Sequence, residues 1–268
     1  MQVIGICRFS YPAYGGFQVE HETMEERISY LYGRDRLEER FRLFETIALP
    51  CLKQQTDPDF ELIIVIGTSL AKQHIDRLED LISDLPQARL VAEPPRRQRE
   101  VMKELLQNAR TNPGEPCFQF RHDDDDAISV DFVEKLRQAA SDCKGLLKRH
   151  RAVTFDYHNG YVAEVGKHGV SATSVFRPYY VASLGMHIAG GARQTIMNFA
   201  HGKINRFMPT VTFPDPPMFV RTHSRFNDSR QKQVKPVPVT PLTREQETEF
   251  ASRFAIDVER VKQVFSTP

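Results

Sequence analysis

The chain is poor in the features that mark several whole classes of protein. Its four cysteines, Cys7, Cys51, Cys117 and Cys143, lie far apart with no CxxC spacing, which argues against a disulfide scaffold or a cysteine-built metal site. Each stands beside apolar residues, as a small core thiol in a reducing compartment would. No charge surplus exists either: Lys plus Arg is 36 and Asp plus Glu is 35, a net +1. Without a cationic field there is no counterion release to hold nucleic acid, so no nucleic-acid partner is expected. No apolar run approaches the ~20 residues of a membrane helix, so no integral membrane segment is expected and membrane association would be peripheral. Residues 1–10 lack a basic region followed by a long apolar run, so no signal peptide is expected and the assigned location is cytoplasmic. Internal repeats are absent.

What is present is an ordinary globular composition, 40% hydrophobic and 26% charged, enough to bury one large core. The runs QVIGIC at 2–7 and FELIIVI at 60–66 read as buried strands, RLVA at 89–92 as a short third strand, and CFQF at 117–120 as a fourth. Between them Leu37, Phe41, Phe44, Ile47 and Leu52 mark a helix whose opposite face, with Glu38, Glu39, Arg40 and Arg42, reads as solvated; Pro50 marks a kink or an end. Further amphipathic stripes follow at 75–82 and 96–106. Alternating strands and helices predict βαβ units and a mostly parallel, Rossmann-like central sheet.

The fourth strand runs into Asp123-Asp124-Asp125-Asp126, and Ser129 offers a cap for a helix carrying Phe132, Val133 and Leu136. Two carboxylates ~6 Å apart repel by about 3 kcal/mol at an effective dielectric near 20. A divalent cation removes that cost, and Mg²⁺ or Mn²⁺ prefers such oxygen ligands. On an extended strand end Asp123 and Asp125 converge while Asp124 and Asp126 point elsewhere. The competing reading is a solvated acidic loop; the position at the carboxyl end of a sheet strand, the ligand edge of open α/β sheets, favours a site. An EF-hand is excluded because Ala127 and Ile128 replace its position-5 ligand and its glycine.

The second half reads as mixed α+β. Residues 153–157 and 161–165 flank His158-Asn159-Gly160, a hairpin signal. Further strands are expected at 172–176 and 211–213, and a helix after Gly190-Gly191 through Phe199. The PVPVTP stretch at 236–241 reads as an extended connector, and Thr243 with Gln246 forms a capping box for a C-terminal helical appendage. The expected division is a catalytic domain over 1–235, with a nucleotide-sugar half at 1–128 and an acceptor half at 129–235, followed by the connector and appendage at 236–268.

Three segments, LEERFRLFETIALPCLKQQTDPDFELIIVIGTSL, FQFRHDDDDAISVDFVEKL and HGKINRFMPTVTFPDPPMFVRTHSRFNDS, resemble the rhamnosyltransferase family, whose members are similar to GT-A glycosyltransferases. The likeness spans residues 8–230. It implies a nucleotide-sugar donor, Mn²⁺ or Mg²⁺ bound through a DxD motif, and transfer of a sugar to a hydroxyl of a glycan or other acceptor. Carried over by position, Asp125 is the direct metal ligand, Asp123 supports the metal or the donor ribose, Asp124 completes the motif, and His223 in RTHS occupies the place of a late metal-binding histidine. The likeness also places Arg8 and Phe9 at the nucleotide, the first pairing with phosphate and the second stacking on the base. Arg97 and Arg99 open a helix after the third strand, where anions are favoured. As acceptor base, Asp215 ranks first and Asp156 second, against a bland reading of Asp215 as a turn residue between prolines. Two other functions compete. A nucleotidyltransferase would need a glycine-rich phosphate loop after the first strand, where the chain has FSYPAYGGF; the other is a non-catalytic sugar- or partner-binding module.

Overall fold

The structure, a computed structural model, describes residues 1–15, 19, 21–224, 226 and 237–267. β1 (Gln2–Arg8) and β2 (Glu61–Gly67) are buried on both faces, as strands covered by helices on either side must be. Between them run α1 (Met24–Leu31), α2 (Arg34–Leu43) and α3 (Leu49–Lys53), the last two joined by a π-helical turn at 44–48. Pro50 stands in the first turn of α3, where proline is tolerated, so the predicted stripe continues through it. α4 (Lys72–Ile82), β3 (Ala88–Glu93), α5 (Gln98–Asn108), β4 (Cys117–Asp123), β5 (Ala127–Ile128), α6 (Phe132–Asp142), α7 (Lys144–Arg149) and β6 (Ala152–Tyr157) follow. Then come β7 (Asn159–Gly166), β8 (Gly169–Phe176), β9 (Leu184–Ile188), two 3₁₀ turns at 196–198 and 201–206, β10 (Thr210–Phe213), β11 (Phe219–Thr222), β12 (Thr240–Pro241), α8 (Arg244–Phe254) and α9 (Val258–Ser266).

The central sheet has the order β10-β6-β9-β4-β1-β2-β3, and every pair in it is parallel except those of β9, which runs against β4 and β6. A second, mixed sheet has the order β12-β8-β7-β11-β5. This is the expected α/β class: a mostly parallel sheet, a mixed second half and a helical C-terminal piece. One face of the central sheet, through Val3, Phe118, Phe120 and Phe155, packs on α2, α4 and α6. The other, through Ile4, Ile6, Val65 and Met186, packs on α5 and the 3₁₀ turns. Phe250, Phe254 and Val261 of the C-terminal helices, and Ile256 in the link between them, enter the first of these cores. No helix among the described residues is long and apolar enough to cross a membrane.

Three local expectations are corrected. Asn159 and Gly160 form no hairpin turn: β6 pairs with β9 and β10 in the central sheet, while β7 pairs with β8 and β11 in the second. Gly160 lies inside β7 because a Cβ there would come within 2.5 Å of the Phe219 carbonyl oxygen. After Gly190-Gly191 the chain makes short 3₁₀ turns and no α-helix. The helix after the acidic run begins at Phe132 with Asp131 as its N-cap, because Ser129 is drawn into backbone bonds with Met218. Within the proline-rich connector, Pro236 lies outside the described residues, and Thr240–Pro241 add a short edge to β8 as β12.

Candidate active site

The parallel strands all end at one edge, and β4 delivers Asp123 there beside Arg8 of β1, its register partner. The next three residues leave the extended conformation: the Asp126 N–H reaches back to the Asp123 carbonyl at 3.3 Å, closing a turn. The turn overrides the alternation expected of a straight strand end. It brings one oxygen each from Asp123, Asp125 and Asp126 within 4.8 Å of one another.

Two guanidiniums divide the four carboxylates. Arg40 of α2 donates to both oxygens of Asp124 and, at 2.7 Å, to Asp125 Oδ2. Arg221 of β11 donates from Nη1 to Asp126 Oδ2 at 2.8 Å and Asp123 Oδ2 at 3.2 Å, while the Thr222 N–H holds Asp126 Oδ1 at 3.1 Å. Arg40 is 2% exposed, so the helix face read as solvated carries a buried cation. Oδ1 of Asp123 and Oδ1 of Asp125 accept no hydrogen bond among the described residues. Two carboxylate oxygens left without a protein donor are what Mg²⁺ or Mn²⁺ needs, the rest coming from water and phosphate, so the donor set fits such a cation.

The field around Asp123 is strongly cationic. Burial alone would raise its carboxyl, but Arg221, Arg121 and Arg8 outweigh that and hold it at about 2. Arg121, two residues earlier on the same face of β4, makes no hydrogen bond or ion pair with a described residue; burial above all, with the nearby Arg8, Arg99 and Arg221 charges, weakens its hold on its proton, while Asp123 opposes them. Asp126 behaves in the opposite way to Asp123: burial pushes its carboxyl well up, with Asp125 and Asp123 adding to the effect and Arg221 opposing it.

The sequence-predicted residues separate in space. Arg8, Arg99, Asp123, Asp124 and Asp125 come together through these contacts and fields. His223 follows β11, half-buried, with no hydrogen-bond partner at Nε2 among the described residues; burial and Arg221 lower its basicity while Asp125 acts against them. Its nitrogens are not in the converging carboxylate group. Arg97 is exposed at the cap of α5, 3.6 Å from Glu100. Phe9 is a correction: its ring is 0% exposed, packed on Phe41 and Phe44 at 4.8 and 5.4 Å, so it belongs to the core and no base can stack on it. Asp156 is buried too, its Oδ1 taking the Tyr179 N–H at 2.9 Å, and burial raises its carboxyl. Asp215 is exposed, with Oδ1 accepting from Asn159 Nδ2 at 3.2 Å.

Sequence reasoning overlooked Arg40, Arg121, Arg221 and the loop before β9. In that loop Tyr179 and Ser183 hold φ of 61° and 63°, a conformation that costs a bulky residue and persists only where surroundings impose it. Asp156 grips the Tyr179 N–H and His201 Nδ1 lies 2.6 Å from its carbonyl oxygen. The next residue, Tyr180, lies 5.7 Å under the Arg221 guanidinium. Arg121 and Arg221 flank the acidic motif and its partner segment directly, so a charge count at the strand ends would have found both.

The fold and the site together define an α/β protein whose mostly parallel sheet brings carboxylates and guanidinium groups to its carboxyl edge. The chain is a member of the family described as "Putative rhamnosyl transferase", which it matches over residues 2–236. It is similar to the crystal structure of S. aureus TarS 1–349, with 13% identity and a TM-score of 0.44, covering 83% of this chain and 60% of that one. The same TarS piece in complex with UDP-GlcNAc gives 14% identity and a TM-score of 0.41, covering 88% and 62%. A structure titled "putative nucleotide-diphospho-sugar transferase from Desulfovibrio desulfuricans G20" gives 12% and 0.36, covering 87% and 88%. The chain thus spans about 60% of the TarS 1–349 length. No curated protein matches it.

Proposed function

We propose that the chain is a metal-dependent glycosyltransferase that moves a sugar, rhamnose by the family's description, from a nucleotide-diphosphate donor to an acceptor hydroxyl. The observation that carries this is the convergence of carboxylate oxygens of Asp123 and Asp125 beside the Arg121 guanidinium, which has no hydrogen-bond or ion-pair partner among the described residues. Such a pair of charges suits a diphosphate together with a divalent cation. Asp123 and Asp125 would hold Mn²⁺ or Mg²⁺, with His223, whose imidazole feels the Asp125 charge, as the further candidate ligand; the cation would neutralise the departing diphosphate. Arg8, Arg121 and Arg99 would take phosphate oxygens, for which a guanidinium fork is suited, and Arg40 fixes the orientation of Asp125. Asp215, the exposed one of the two candidate bases, takes the acceptor proton. Asp156 instead anchors the Tyr179 turn. Four free cysteines fit a reducing, cytoplasmic setting.

Calorimetry of UDP, dTDP and GDP with Mn²⁺ and with chelator tests the reading. At least one nucleotide should bind about 10-fold or more tightly with Mn²⁺, a coupling of roughly 1.4 kcal/mol. Asp125→Asn should abolish the coupling, and Arg121→Gln should weaken the nucleotide in both conditions. Equal affinity with metal and with chelator for every nucleotide would refute metal dependence.

A further inference from the structure

We propose that the surface joining the start of β7 to the end of β8 is the acceptor subsite, and that it takes a pyranose ring through the face of Phe176. The inference rests on the transferase reading and on Asp215 as the base. An acceptor hydroxyl delivered to Asp215 must lie over the residues beside it. One of them is Asn159, whose Nδ2 donates to Asp215 Oδ1 at 3.2 Å. In the antiparallel β7–β8 ladder Asn159 stands directly opposite Phe176, so the two side chains leave the same face of the sheet. Phe176 is 60% exposed, among the few large apolar side chains left in water. Arg177, next in the chain, is exposed and forms no ion pair with a described residue.

Beneath Phe176 lies a second sign of a ligand. The His158 ring sits 4.0 Å from the Phe176 ring, is 8% exposed, and has no hydrogen-bond partner at Nε2 among the described residues. A buried polar atom left unpaired carries a free-energy cost that a hydroxyl reaching past the Phe176 edge would relieve. One exposed aromatic ring with an imidazole against it, an amide opposite it in the ladder and a carboxylate held by that amide matches a pyranose, which has an apolar C–H face and a rim of hydroxyls. A lipid chain would strip water from the exposed polar groups there and return no hydrogen bonds.

The chain contains no tryptophan, so Phe176→Trp makes a single indole reporter. In the presence of Mn²⁺ and the nucleotide that binds best, we expect its emission to change saturably with at least one of methyl α-rhamnopyranoside, methyl β-glucopyranoside and methyl β-galactopyranoside. The acyclic polyol sorbitol should leave it unchanged. Adding Asn159→Ala should weaken that response about 10-fold or more. Phe207→Trp, another exposed ring at 63%, should not respond. Should Phe176→Trp misfold, saturation-transfer NMR of the same glycosides on the wild type against Phe176→Ala gives the same comparison. No saturable response to any pyranoside, an equal response at position 207, or a response to uridine alone overturns the subsite. Failure of every nucleotide to bind, with the pyranoside response intact, would instead overturn the transferase reading and leave the subsite standing.

Discussion

At the scale of single residues the decisive feature is how four adjacent carboxylates are tolerated in a largely buried turn. Arg40 takes Asp124 and Asp125, and Arg221 takes Asp123 and Asp126, so each cation faces two anions. Removing one partner of a buried pair leaves a charge with neither water nor counterion, at a cost of about 3–5 kcal/mol. Arg40→Ala should therefore lower the urea-unfolding free energy by about that much at pH 7. Arg40→Lys should recover only part, because an ammonium cannot reproduce the planar fork on two carboxylates. A loss under about 1 kcal/mol, the size of a surface pair, would mean that water reaches these groups. The four aspartates were visible in the sequence as candidate ligands; their arginine partners were not, since α2 and β11 lie about 80 and 100 residues away along the chain and charge alternation on a helix looks the same whether solvated or paired.

At the scale of elements, the parallel strands were legible because strands covered on both faces must be apolar throughout, as in the 60–66 run. β9 was not. Its LGMHI carries a histidine and a glycine and resembles no regular pattern, yet it lies fully buried between β4 and β6. The Asn-Gly hairpin failed for a related reason: the local signal was overruled by a close approach of β11 to Gly160. The misfit residue in β9, His187, gives an acid-stability prediction. Burial against Phe118 lowers its pKa to about 4, against roughly 6.5 in an unfolded chain. Between those values the unfolded state binds the proton first, so stability should be flat above about pH 6.5 and fall as the pH drops toward 4, by roughly 1–3 kcal/mol. His122, lowered by burial to about 4, acts in the same direction. His187→Leu should make the urea midpoint less sensitive between pH 7 and pH 5 without abolishing the slope. An unchanged slope would show that His187 is already hydrated in the native state.

At the scale of the whole molecule, the C-terminal helices bind the two sheets together. Phe250 and Phe254 pack on Tyr161 of β7, at 4.9 and 6.2 Å between ring centres, and the Tyr161 hydroxyl donates to Glu249 at 2.7 Å. The Arg253 carbonyl accepts the Val130 N–H at 2.8 Å, just beyond β5, and β5 pairs with the strand that carries Arg221. At the far end Arg260 pairs with Glu45 in the turn between α2 and α3. The acidic turn is thus supported from both sides by a segment that contributes no ligand to it. Phe250, Phe254, Ile256, Val258 and Val261 are all buried. At about 1.5–3 kcal/mol for each such side chain, deleting residues 243–268 removes on the order of 10 kcal/mol, a loss comparable with the whole stability of an ordinary domain. The deletion should therefore abolish cooperative thermal unfolding and nucleotide binding together. Phe250→Ala, which removes one ring from the same core, should lower the melting temperature while leaving Mn²⁺-coupled nucleotide affinity within about twofold at temperatures where the variant is folded. A truncated chain that still melts cooperatively and binds nucleotide would make these helices an independent attachment, and the support of the acidic turn would then have to come from β11 and α2 alone.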